Sequence, residues 1–325
     1  MISTHKVEVV PVILEPHPHA DALSIVRVHS AYTVVVRTVD WTGIDRGAYI
    51  IPDSVVPDTE GFSFLNGKRR IKVKRLRGII SQGLLVPAPE GSKIGDDVAE
   101  LIGVTHYEPP EPASTGGEAE RPPELYSPTY DIDTIRKYAH VFQEGEHVIV
   151  TCKIHGTSAR YAFSNGRMYA GSKREWKRES DSSVYWRIIK QQPSLTEFCK
   201  LHPELIVYGE VFGCVQDLKY GMTNGKIDFR VFDLFDHRIG LWLDYDECIN
   251  IIKECSLSGQ LNWVPLIARE AFQLDKILEY AEGNSLIDGA NHIREGIVVK
   301  PIKERIHPEI GRVCLKVVSN GYYER

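Results

Sequence analysis

Lys153 stands in the run Thr151-Cys152-Lys153-Ile154-His155-Gly156-Thr157-Ser158, where an apolar alternation (Val148, Val150, Cys152) ends in a turn. A lysine amine at a strand end can act as a covalent nucleophile. Gly156, three residues on, lets backbone approach a phosphate or nucleotide closely. Taken alone, the same spacing fits a plain surface turn. Further along, Ser172-Lys173-Arg174 follows a strand-like run and suits a ribose or phosphate, or a solvated loop. Glu210 interrupts the apolar stretch Ile206–Gly213, where a carboxylate is costly unless it has a partner or faces water. Phe232-Asp233 sets a ring that can stack on a base, or fill a core, beside an acid. Glu295 and Lys300 bracket one more apolar run, and Lys316 is embedded in another, Cys314–Val318.

These residues need strands to hold them. Period-two apolar runs predict strands ending at Lys153 and at 160–163, 168–171, 206–213, 229–235, 295–300 and 314–318. Asn165-Gly166 predicts a hairpin turn between the second and third of these. Helices are expected at 131–142, capped by Asp131 or Asp133, and at 184–189, 196–201, 246–254 and 271–281. Strands and helices in this order predict an α+β domain built on antiparallel sheets.

Before it, residues 6 to about 105 carry short β-branched runs separated by turn material, which predicts a small barrel or sandwich. His17 and His19 have no third ligand nearby, so a turn with two exposed imidazoles is expected rather than a metal site. Lys68, Arg69, Arg70, Lys72, Lys74, Arg75 and Arg77 form a basic run, with Ile71, Val73 and Leu76 interleaved. In a chain of net charge −5, such a local ridge suits a phosphate backbone. The competing reading is a solvated edge strand guarded by its lysines. Pro109, Pro110, Pro112, Pro122, Pro123 and Pro128 mark a linker. The expected division is 1–108, a linker at 109–128, and 129–325. No apolar run approaches the ~20 residues of a membrane span, and no signal peptide opens the chain. Six scattered cysteines without a C-x-x-C pair argue for reduced thiols and against structural zinc, which makes a cytoplasmic protein the expectation.

The order of the motifs adds what no single one supplies. Lys-x-x-Gly, Ser-Lys-Arg, Gly-Glu, Phe-Asp, Glu-Gly-x-Val-x-Lys and Leu-Lys over residues 150–320 resemble the covalent nucleotidyltransferases, the polynucleotide ligases and mRNA capping enzymes. Lys-Ile-His-Gly-Thr, where DNA ligases and capping enzymes usually have aspartate in place of His155, is similar to the RNA-ligase branch. Residues 5–87, with His17-Pro18-His19-Ala20-Asp21-Ala22-Leu23 and Ile71–Leu85, resemble OB-fold modules of the tRNA-binding type. An OB module ahead of the catalytic domain resembles the Deinococcus-type RNA ligases.

The resemblance implies an antiparallel, ATP-grasp-like adenylation domain after an OB barrel. It also implies an ATP-dependent RNA ligase using Mg2+ or Mn2+, sealing 3′-OH/5′-phosphate breaks as a monomer. By this resemblance Lys153 is the nucleophile. Ile154, Gly156, Arg174, Glu210, Phe232, Lys300 and Lys316 bind the nucleotide, with Phe232 on adenine and Lys300 and Lys316 as cations at the α-phosphate. Glu295 serves the metal, and the ridge holds RNA or an RNA-containing nicked duplex. The last motif departs from the pattern: Val317 and Val318 follow Lys316, so a second lysine is missing. Capping with GTP, and RNA binding without catalysis, are the competing functions.

Overall fold

The β-branched runs of the first hundred residues fold as strands in the computed structural model, which describes residues 6–107, 117–255 and 261–324. Strands β1 (Glu8–Pro11), β2 (Leu23–Val28), β3 (Tyr32–Arg37), β4 (Arg46–Ile50), β5 (Lys74–Leu76), β6 (Ile79–Ser81) and β7 (Leu84–Pro87) build the first unit. β4 pairs antiparallel with β1 and β7, β2 with β3, and β5 with β6. Residues of the two larger sheets share one core: Val10, Val26, Val28, Val34, Val36, Tyr49 and Leu85 bury together. This is the curled antiparallel arrangement of an OB-type barrel.

Asp133–His140 and the residues from Asn320 on belong to this unit, although the sequence reading assigned them to the second domain. Their hydrogen bonds explain the assignment. Ser30 and Ala31 N–H donate to the Arg136 carbonyl, and Arg136 Nη1 donates to the Ala31 carbonyl. Lys137 pairs with Glu8 at 2.7 Å, and Gln82 Nε2 donates to Asn320 at 2.7 Å. The expected helix at 131–142 starts only at Ile135, because Thr134, not Asp131 or Asp133, caps it through the Arg136 N–H, and after Tyr138 it continues as a 3-10 turn over Ala139–Val141.

The basic run is not one continuous strand, but its alternation holds: Ile71 and Val73 are buried, while Lys72 and Lys74 are exposed. Three of its cations are engaged within the unit. Arg69 Nε donates to the Val56 carbonyl, Arg70 pairs with Asp53 and covers the Tyr107 ring, and Arg75 pairs with Glu324. Lys68, Lys72, Lys74 and Arg77 face solvent. His17 is buried rather than exposed. Its ring meets the Leu76 carbonyl at 3.3 Å and accepts from the His19 N–H, so it fastens the β5–β6 hairpin. Part of the expected linker, residues 109–116, lies outside the described residues.

The second unit, 117–132 and 141–319, is built on two antiparallel sheets. Strands β8 (His147–Lys153), β9 (Thr157–Ser164), β10 (Arg167–Ser172), β11 (Leu205–Gly213), β12 (Ile227–Asp236), β13 (Leu266–Ala271), β14 (Gly296–Pro301) and β15 (Leu315–Val318) supply them. In one sheet the order runs β15–β14–β8–β13; in the other, β10–β9–β11–β12. β13 was missed, since the expected helix at 271–281 is shorter, Leu274–Tyr280. Helices α1 (Val184–Gln191) and α2 (Pro193–Leu201) bury Val184, Tyr185, Ile188, Leu195 and Phe198 against Tyr161, Val207, Val211 and Phe229 of the second sheet. Its other face packs Tyr208 and Phe235 against Leu125 and Tyr130. Among the described residues, no helix is long and apolar enough to cross a membrane.

Candidate active site around Lys153

β8 ends at Lys153 and the chain turns through His155 and Gly156 into β9, so this turn joins the two sheets. Gly156 is required there by a backbone neighbour: a Cβ at this position would lie 2.1 Å from the Val211 carbonyl oxygen. Gly156→Ala must therefore push β11 away from the turn, and a fall in both melting temperature and activity is expected.

Opposite-strand partners share a sheet face. Lys153 pairs with Gly296, Thr151 with Val298, and Ile149 with Lys300. Val298 in turn faces Lys316, and Gly296 faces Val318. Lys316 is thus half-buried on the face that carries Lys153. The row Lys153–Gly296–Val318 ends in an apolar residue where the family pattern would place a second lysine.

The nearest charges to Lys153 are acidic. Its Nζ donates to Glu295 Oε1 at 2.7 Å. Burial pulls the lysine pKa down, but the charges of Glu295 and then Glu210 outweigh it and hold the amine above its ordinary value. Burial pushes the Glu210 carboxyl up, to about 8; Glu295 adds to this, while Lys153 and the Gly156 N–H oppose it. Burial acts on Glu295 too, but Lys153 and His155 hold it below the usual range. One ammonium between two acids thus ionises the acid it touches and leaves the other protonated at neutral pH.

This makes Glu210 a test of the arrangement. A carboxyl raised in the folded state contributes stability at low pH that is lost as pH climbs through its folded value. Glu210→Gln should therefore melt like the wild type near pH 4.5 and progressively higher than it up to pH about 8. Thermal melts across that range would read it. β11 lies between β9 and β12, so Glu210 is on a central strand rather than an edge.

Glu295 Oε2 is buried without a hydrogen-bond partner, with His155 Nδ1 3.8 Å away. A carboxylate oxygen left in this condition suits a hard cation. Among the described residues no three His, Cys, Asp or Glu side chains gather as a complete metal shell, so Glu295 would hold such an ion together with phosphate and water oxygens.

The other expected residues spread around this centre. Ile154 is buried in the core. Arg174 is exposed on a turn whose N–H groups at 174 and 175 bond Ser172 Oγ. Phe232 is half-buried against Tyr130, ring centroids 4.6 Å apart. Lys300 is not beside Lys153. Its register puts it roughly 13 Å along β14 from Gly296. There its amine contacts Asp233, which also accepts from Tyr130 and lies 3.0 Å from Arg312. Arg312 and Lys300 both contact Glu304 as well. Lys300 thus belongs to a separate buried ion network, and the nearest charges to the Lys153 amine are the acids Glu295 and Glu210.

Sequence reading missed Asp217 and Tyr220, which reach the His155 turn from the β11–β12 loop, and it missed Tyr130 and Arg312. No motif announces them.

Two antiparallel sheets meeting at a lysine-bearing turn, with acids on neighbouring strands, fit the arrangement implied by the resemblance to the covalent nucleotidyltransferases. A model of the RNA ligase family matches residues 146–318, more than half of the chain, and the chain belongs to that family. An OB-fold domain model matches residues 2–88. No curated protein matches. Among solved structures, an alanine variant of Naegleria gruberi RNA ligase with ATP and Mn is similar at 24% identity, TM-score 0.84, over 98% of each chain. A second variant of that ligase, with AMP and Mn, is 25% identical with TM-score 0.84, over 98% of this chain and 97% of the other. The same ligase with pyrophosphate gives 25% and 0.82, again over 98% and 97%.

Proposed function

We propose that this RNA ligase works through a Lys153–AMP intermediate and seals nicks that have an RNA 3′-OH and a 5′-phosphate. The contact between Lys153 and Glu295 carries the reading: the family nucleophile position is a half-buried lysine held on an acid that the same family assigns to the metal. In the first step Lys153 Nζ gives up its proton and bonds the α-phosphorus of ATP, and pyrophosphate leaves. The N–P bond then breaks as AMP passes to the RNA 5′-phosphate. Attack of the 3′-OH forms the phosphodiester and releases AMP. A bound Mg2+ or Mn2+ would neutralise phosphate charge, with Glu295 as its holder. That ATP and Mn, and pyrophosphate, accompany the Naegleria ligase supports the choice of donor and ion.

Glu210 would accept from a ribose hydroxyl and Phe232 would stack on adenine. Arg174, Lys300 and Lys316 would act on sugar and phosphate, Lys300 from its ion network. The backbone of Ile154 and Gly156 would border the nucleotide.

The test is label retention after denaturation. Label from α-labelled ATP, but not from γ-labelled ATP, should stay on the protein, and a nicked duplex with an RNA 3′-OH should then be joined. Label from GTP alone would move the function to capping, and label from neither would end the proposal.

The ridge is proposed to hold the RNA-containing strand through its solvent-facing cations. Replacing Lys68, Lys72, Lys74 and Arg77 with alanine should weaken duplex binding and reduce the slope of log K against log salt by about 3. An unchanged slope in a filter-binding titration would reassign the ridge to solubility.

A further inference from the structure

The loop between β11 and β12 grips the catalytic turn at two points. Tyr220 Oη accepts the His155 backbone N–H at 2.6 Å. Asp217, from the same loop, meets His155 Nε2 at 2.6 Å. Asp217 is exposed, while Tyr220 is almost wholly buried. The Tyr220 ring is fixed by edge contacts with His292 and Phe212, centroids 4.6 and 5.0 Å away.

The backbone of this loop is strained where it grips. Tyr220 has φ +53°, in the left-handed region that a bulky side chain avoids. Gly221 follows at φ +73°, and a Cβ there would lie 2.2 Å from the Gly289 carbonyl oxygen. An aromatic residue held in this conformation stores backbone strain. Here the strain coincides with a buried hydroxyl directed at the residue two positions beyond Lys153. Packing alone does not need the hydroxyl, since a phenylalanine ring would fill the same space.

We infer that Tyr220 and Asp217 are positioning residues for nucleotidyl transfer: they fix the His155 turn, and through it the direction of the Lys153 amine. The inference rests on the reading of Lys153 as nucleophile. Near-attack geometry explains why such a clamp matters, because a shift of ~1 Å in a reacting group can cost ~100-fold in rate.

The experiment follows single-turnover transfer of label from α-labelled ATP to the full chain, as a function of ATP concentration, with melting temperatures alongside. Tyr220→Phe keeps the ring and loses the acceptor. Its maximal transfer rate should fall ~10–100-fold, with the half-saturating ATP concentration and the melting temperature close to wild type. Asp217→Ala touches only an exposed side chain and should also slow the maximal rate, with Asp217→Asn restoring most of it. Unchanged maximal rates in both Tyr220→Phe and Asp217→Ala would overturn the clamp. So would losses confined to ATP affinity. Lys153→Ala separates the two readings. If the wild type takes label that Lys153→Ala does not, the nucleophile stands and the loop variants decide. If Lys153→Ala takes label as well, the nucleophile reading fails and the clamp fails with it.

Discussion

Lys153→Ala should take no label from ATP and should join no ordinary 5′-phosphate nick, a loss of more than ~10⁴-fold set by the assay background. It should still seal a nick whose 5′ end already carries AMP, because that step forms its bond from the 3′-OH and needs no lysine nucleophile. Lys153→Arg should fail as fully as alanine in the first step. A guanidinium keeps the Glu295 ion pair but stays protonated, and a protonated group has no lone pair to attack phosphorus. The arginine variant therefore separates charge from nucleophilicity, two roles that the wild-type amine combines. Joining of the pre-adenylated nick and label uptake, run on the same preparations, check all three statements. If Lys153→Arg kept label uptake, the lysine would be an electrostatic residue and the nucleophile would lie elsewhere.

Asp233→Asn should be the most destabilising substitution in the second unit outside its apolar core. Asp233 is buried, contacts Lys300 and Arg312, and accepts from Tyr130. Burial works against its charge, but Arg312 and Lys300 hold its pKa below the ordinary 3.8. Neutralising it leaves two buried cations sharing only Glu304. Breaking a buried pair from one side typically costs ~3–5 kcal/mol, which for a unit of this size lowers Tm by about 10 °C or more. The pH dependence has a definite sign. A carboxylate with a depressed pKa contributes stability at neutral pH that is lost as pH falls through its folded value. The gap between wild type and Asp233→Asn should thus be widest near neutral pH and close below pH 3.8. Melting curves at several pH values would show it, and a gap independent of pH would mean that packing, not charge, is what Asp233 supplies.

Charged residues set against an apolar run were conspicuous in the sequence. Lys153 ends such a run, Glu210 interrupts one and Glu295 opens one, and the structure brings them together as an ammonium between two acids. Lys300 closes a run just as clearly, yet register carries it four positions down β14 to Asp233. Local pattern gives the face of a strand but not the residue that lies across from it. Tyr220 and Asp217 were invisible for a different reason. They sit on a polar, glycine-containing loop whose approach to His155 is fixed by tertiary packing. His17 was misread because a histidine in a turn is normally solvated, and nothing nearby in sequence shows that Leu76 covers it. Strand spacing pointed to a small barrel or sandwich and the resemblance of residues 5–87 to an OB module, but its later segments were not legible, since Arg136 and Asn320 join it through hydrogen bonds that span large separations in the chain.

Those late segments bear on how the chain comes off the ribosome. The barrel strands precede these segments in the chain, so Ser30, Ala31 and Glu8 gain these partners only once residues 136 and 137 emerge, and Gln82 and Arg75 gain Asn320 and Glu324 only once those residues emerge. The first unit is therefore completed only after the residues of the second unit that lie between its segments have been made. The bonds of Gln82 and Arg75 to those last residues stay unmade while residues 141–319 of the other unit are synthesised.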